Sequence, residues 1–172
     1  MSPYPASLFK LPLAFFLLEE TAEERIALSD IRKKLRKMLT VSSNQATYDL
    51  LKTPHANKRS GAMNRRFERM GLDTIQIKGT DPATGQDWNV GEITMTSMDT
   101  AKLLWLIQSD PQSAPLWKQP NGKHIRSKLN KKGQRILLKH LGNQAFSETL
   151  STANFGVGGS SNKTMKSPPN VE

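Results

Sequence analysis

The segment at residues 8–20 constrains the fold most, because most of its side chains are apolar with no polar face. A helix that is apolar all round is buried all round, so we expect a central helix with others packed against it. We expect Pro12, inside this helix, to cost a hydrogen bond or bend the axis. The apolar stretch at 11–18 is shorter than the roughly 20 residues of a membrane span. Glu19 and Glu20 follow it without a small-residue cleavage site, so we expect no export signal.

Helical spacing of apolar residues predicts several further helices. Ser29 and Asp30 resemble a helix start, and Thr96 with Asp99 resembles a capping arrangement. The remaining predicted helices cover residues 42–51, 61–70, 129–141 and 144–150. We expect a mainly α domain over residues 1–155 and a disordered tail rich in Gly, Ser, Lys and Pro over 156–172.

Composition narrows the function. The 172 residues include no cysteine and three scattered histidines, so we expect neither a metal site nor a cofactor. The net charge of +10 makes nonspecific polyanion binding an option. Basic clusters at 32–37, 58–66 and 131–135 leave a nucleic-acid surface open beside the simpler interpretation as solvated helix faces.

Ser7 and Lys10 form the first candidate for chemistry. If Ser7 opens a helix, Lys10 lies one turn later on the same face. A serine hydroxyl needs a base to become a nucleophile, and a lysine whose pKa is lowered can be that base. The alternative is that Ser7 caps a helix and Lys10 is a solvated charge.

Ser42, Ser43 and Asn44 form the second candidate. A Ser-x-Asn sequence at a helix start can present one hydroxyl and one amide to the same cleft. The hydroxyl can pass a proton to a leaving group, and the amide can hold the lysine and a substrate carbonyl. The alternative is a helix capped by Ser42 or Ser43.

Three segments resemble the class A β-lactamase-like and penicillin-binding-type serine hydrolases. They are residues 5–12 (PASLFKLP), 39–47 (LTVSSNQAT) and 94–104 (TMTSMDTAKLL), in the order of that family's all-helical subdomain. The resemblance implies that Ser7 is acylated, that Lys10 acts on its proton, that Ser42 relays a proton to the leaving group and that Asn44 contacts substrate. It also implies a β-lactam or peptidoglycan-like acyl donor, half an oxyanion hole from the Ser7 N–H, and a periplasmic or extracellular location.

The chain departs from the family pattern in four places. Ser43 stands where lactamases often have Asp. Gly85 stands four residues before Asn89, where the Ω-loop glutamate is expected, so we expect an acyl-enzyme to persist. The Lys-Thr-Gly strand is not found, and residues 163–165 (KTM) are the only partial match to it. Few residues precede Ser7, so we expect most of the family's sheet to be missing.

The missing sheet has consequences for the helices. We expect Leu11, Phe15 and Leu18 to be exposed. We also expect Lys10 to be hydrated, so that its pKa stays high and turnover is weak. A noncatalytic truncated remnant and a basic nucleic-acid-binding helical domain therefore remain open beside the serine hydrolase.

Overall fold

The computed structural model describes residues 6–51, 53, 60–77, 93–111, 113–119 and 122–143. In these residues a 3-10 helix (Ala6–Phe9) leads into six α-helices, which confirms the mainly α expectation. They are α1 (Lys10–Ala22), α2 (Leu28–Thr40), α3 (Asn44–Leu51), α4 (Ser60–Arg69), α5 (Ser97–Gln108) and α6 (Lys131–Gly142). Strands β1 (Gln76–Ile77) and β2 (Ile93–Thr94) pair antiparallel, with Gln76 opposite Thr94.

Two sequence predictions fall outside these ranges, the helix at 144–150 and the tail at 156–172. No helix among the described residues is both long and apolar enough to cross a membrane.

Helix α1 is the centre of the fold, as the apolar segment predicts. Every side chain of α1 from its first residue to Glu20 is buried, and α2 and α6 both pack against it. Phe15 meets Phe67 of α4 with ring centroids 6.4 Å apart. Because α2, α4 and α6 all pack on this one helix, its position fixes theirs.

The expected exposure of an apolar face on α1 is wrong. Leu11, Phe15 and Leu18 are 7%, 0% and 1% exposed. Helices of the chain itself cover that face: Phe67 of α4 packs on Phe15, and a Cβ placed on Gly133 of α6 would lie 3.4 Å from the Leu18 Cβ. Within the described ranges the helices therefore cover this face themselves, and the sheet found there has two short strands.

The predicted helix boundaries need small corrections. Pro12 is the third residue of α1, in the first turn, where N–H groups have no partner within the helix, so the expected loss of a hydrogen bond does not apply. Helix α2 begins at Leu28 and carries Asp30 in its first turn. The capping arrangement at α5 is confirmed, because the Asp99 N–H donates to Thr96 Oγ1 at 3.3 Å.

A buried carboxylate joins three parts of the fold. Both Glu19 oxygens accept hydrogen bonds from the Arg66 guanidinium at 2.9 Å. Oε1 also accepts from the Lys128 N–H at 2.6 Å and from Ser127 Oγ at 3.3 Å. Glu19 thereby ties α1 to α4 and to the segment before α6.

Replacing Glu19 with Gln should destabilise the protein by about 3 kcal/mol. The side chains of Glu19 and Arg66 are 2% and 14% exposed, and breaking a buried ion pair leaves an uncompensated charge. Urea unfolding measures the change. The matched control is Glu24→Gln at an exposed position of the adjoining loop, expected within about 0.5 kcal/mol of wild type. Equal effects of the two changes would contradict this role.

Candidate active site

Ser7 and Lys10 lie on one face of the first turn of the helical segment. Ser7 is in the 3-10 helix and Lys10 is the first residue of α1, so the spacing of three residues brings Nζ of Lys10 within 3.2 Å of Ser7 Oγ. The serine is exposed, whereas the lysine is only 3% exposed. The hydroxyl can therefore meet a ligand from solvent while the amine stays behind it.

The end of α2 brings Ser42 to the same place. After α2 the chain turns through Ser42, whose φ is +53°, and the Ser43 N–H returns to the Lys37 carbonyl at 3.2 Å. Ser43 Oγ then accepts from the Ala46 N–H at 3.2 Å and caps α3. Of the two predicted caps Ser43 fills the role, and the Ser42 side chain is available for other contacts.

The Lys10 amine connects all four predicted site residues. It donates to the Ser42 carbonyl at 2.6 Å, to Ser42 Oγ at 2.8 Å and to Asn44 Oδ1 at 2.8 Å, besides its contact with Ser7. Ser42 Oγ in turn donates to Ser7 Oγ at 3.0 Å. Ser7, Lys10, Ser42 and Asn44, the four-residue cluster hereafter, thus form one hydrogen-bonded network.

Burial controls the protonation of this cluster. Desolvation lowers the pKa of Lys10 below its ordinary 10.5, because the ammonium loses hydration. The four oxygen acceptors that the cluster places around Nζ are all neutral groups, so none of them offsets that loss with a negative charge. The expectation of a hydrated Lys10 is wrong, since the end of α2 covers the amine.

Backbone strain is concentrated at the cluster. Three non-glycine residues of the described ranges have positive φ, and two of them are Ala6 (φ +49°), just before the nucleophile candidate, and Ser42. The left-handed region costs roughly 1–2 kcal/mol per non-glycine residue. Strain of this kind is common at active sites.

Sequence reasoning missed one member of the network, the Ser42 carbonyl. A helix end often places its next residue in the left-handed region, and the break in helical spacing after Leu39 was the available signal. That conformation turns both the carbonyl and the hydroxyl of Ser42 toward Lys10.

The arrangement can move a proton away from Ser7 by two routes. One runs directly to a neutral Lys10 amine, and the other passes through Ser42 Oγ. Hydroxyl hydrogens rotate, so the same oxygen contacts serve in either direction. An exposed hydroxyl beside a buried amine whose pKa is lowered is an arrangement that suits nucleophilic acyl transfer.

Other predicted site features lie outside the described residues, namely Gly85, Asn89 and the segment at 163–165. The oxyanion role of the Ser7 N–H stays a prediction. Within the described part of the chain, no group of three or more His, Asp or Glu side chains could hold a metal ion.

No protein-family model, curated protein or solved structure matches the chain.

The pH dependence of stability should reveal the buried amine. Because the pKa of Lys10 is lowered by folding, the unfolded chain binds more protons than the native one between that lowered value and 10.5, so stability rises with pH there. We expect wild type to gain stability relative to Lys10→Met as pH rises through this window. Parallel urea titrations of both proteins measure it, and a constant difference would contradict the lowered pKa.

Two substitutions at Ser42 should separate backbone strain from hydroxyl chemistry. Both Ser42→Gly and Ser42→Ala remove the hydroxyl, but only glycine relieves the positive φ. We expect Ser42→Gly to be more stable than Ser42→Ala by about 1 kcal/mol. Thermal unfolding compares them. Equal stabilities would show that this turn is not held in the left-handed region.

Proposed function

We propose that the chain is a serine acyl-transfer protein that forms an acyl-enzyme on Ser7. The observation that carries the proposal is the network of the Lys10 amine with Ser7 Oγ, Ser42 Oγ and Asn44 Oδ1 at 2.8–3.2 Å. The cluster offers one residue for each proposed role, namely nucleophile, base, proton relay and substrate-contacting amide.

Acylation follows from these contacts. Ser7 Oγ attacks the acyl carbon while its proton passes to the neutral Lys10 amine, directly or through Ser42. When the carbon–nitrogen bond of the donor breaks, Ser42 Oγ delivers a proton to the leaving nitrogen and takes in its place the proton that Lys10 received from Ser7. Asn44 is exposed, and while its Oδ1 accepts from Lys10 its amide NH₂ donates to a substrate carbonyl.

The resemblance of the three segments supports a β-lactam or peptidoglycan-like peptide as the acyl donor. It also supports the finer fold assignment, the helical subdomain of the β-lactamase/transpeptidase-like fold, and a site of action outside the cytoplasm. Gly85 at the expected glutamate position favours slow deacylation, because the attacking water then lacks the base that the family's Ω-loop supplies. We therefore propose stoichiometric acylation with little turnover.

The position of Lys10 favours this proposal over a noncatalytic remnant. Lys10 is 3% exposed, its amine lies 3.2 Å from Ser7 Oγ and 2.8 Å from Ser42 Oγ, and burial lowers its pKa. A solvated surface lysine needs none of these features, whereas the base of an activated serine needs all of them.

Incubation with a fluorescent penicillin tests the proposal. We expect one label per chain, slow to hydrolyse, and a mass increase on the peptide that contains Ser7. Ser7→Ala should abolish labelling, and Lys10→Met should slow it at least about 100-fold, because general base catalysis contributes 10²–10⁴-fold.

The control for this experiment is Ser43→Ala. Ser43 caps α3 and lies next to the cluster in sequence, so its loss should cost about 1 kcal/mol of stability and leave labelling intact. Label found on another residue, or retained by Ser7→Ala, would refute the acyl-enzyme. An unlabelled wild-type chain that shows the native unfolding transition would refute the β-lactam as donor.

A further inference from the structure

The positive charge of the chain is concentrated on two helices. Helix α2 (LSDIRKKLRKMLT) carries five basic side chains and one acidic one. Helix α6 (KKGQRILLKHLG) carries four basic side chains and no acidic one. Together they supply a net +8 of the formal +10 of the chain. The charges of all other residues sum to a value close to zero.

These two helices are neighbours, and their basic side chains face outward. Helix α2 packs against α6, while Ile31, Leu35 and Leu137 point into the core. Most of the basic residues are exposed, and we call these the basic face: Arg32, Lys33, Arg36, Lys37, Lys131, Lys132, Arg135 and Lys139. In the described part of the chain the ion pairs involve Arg25, Arg66, Lys102 and Lys128, and none includes a residue of the basic face.

The pKa of His140 depends on positive charges of both helices. Burial lowers the pKa of His140, and the charges of Lys139, Arg36 and Arg32 lower it further. Residues from both helices thus act on one imidazole, so their charges reinforce one another across the junction of α2 and α6. The two clusters, separate in sequence, form one electrostatic surface.

We propose that the basic face binds a linear phosphodiester polymer through its phosphates. Two helices of 12 and 13 residues extend about 18–20 Å, at about 1.5 Å per residue, which is long enough to contact several successive phosphates. Lysine and arginine bind phosphate by charge and by hydrogen bonds. Recognition of this kind needs no base contacts.

The composition of the surface favours a polymer over a lipid bilayer. Helices that lie in a membrane interface carry exposed apolar side chains beside their cations. On α2 the apolar residues are buried except Leu28, which is half-buried, and the one large hydrophobic side chain exposed on either helix is Leu138, at 37%. No aromatic residue occurs in α2 or α6, so base stacking is not part of the proposed contact.

A salt titration of binding tests the proposal on the full chain. The probes are a 20-base-pair DNA duplex and poly(glycerol phosphate), with vesicles of anionic phospholipid as a third arm. The test variant is Arg32→Gln with Arg36→Gln and Lys139→Gln. Its matched control, Arg65→Gln with Arg69→Gln and Lys118→Gln, makes the same change of net charge at exposed positions outside α2 and α6.

We expect wild type to bind at least one polymer with a steep loss of affinity as salt rises. The test variant should bind roughly tenfold weaker or worse. Its slope of log affinity against log salt should fall by about 2.7, or about 0.9 for each phosphate that the variant no longer neutralises. Polymer binding should also raise the pKa of His140 in an NMR titration. The control should bind like wild type, and the polymer that binds identifies the source of the phosphodiester.

Three results would overturn the proposal: no polymer binding by wild type at 50 mM salt, equal weakening in both variants, or binding to vesicles alone. Thermal unfolding confirms that each variant is folded. The substituted residues are outside the four-residue cluster, so penicillin labelling of Ser7 should be unchanged. Either proposal can therefore be refuted without refuting the other.

Discussion

Burial of the Lys10 amine is the constraint on which the site depends. Because α1 is enclosed from its first residue onward, the amine needs protein oxygens in place of water, and the left-handed turn at Ser42 supplies a carbonyl and a hydroxyl at 2.6 and 2.8 Å. The packing that fixes the fold also lowers the pKa of the lysine. Core and chemistry are therefore coupled at one residue.

The charged groups of the fold differ in how deeply they are buried. Near the end of α1, Glu19 and Glu20 are buried and paired with arginines, which neutralises charge inside the core. The excess of positive charge lies outside, on α2 and α6. This separation allows a strongly basic chain to keep a neutral interior, and the oxygens of the four-residue cluster that accept from the Lys10 amine are neutral as well.

Sequence patterns predicted local features of single helices, but they did not predict which other helices pack over those features. The apolar run of α1 and the cap at Thr96 are confirmed, because periodicity and capping depend on neighbours in sequence. The grouping of Ser7 with Ser42 came from motif resemblance, which carries long-range information that periodicity lacks. The predicted exposure of Leu11 and Lys10 failed, since burial depends on how α2, α4 and α6 close around α1.

The pH dependence of the acylation rate tests the central claim most directly. If Lys10 is the base, the second-order rate constant for labelling of Ser7 rises as the amine loses its proton, and the midpoint of the rise lies below 10.5, the ordinary value for lysine. Lys10→Met should lose this rise. A midpoint at 10.5 or above, or an identical profile in Lys10→Met, would contradict the account.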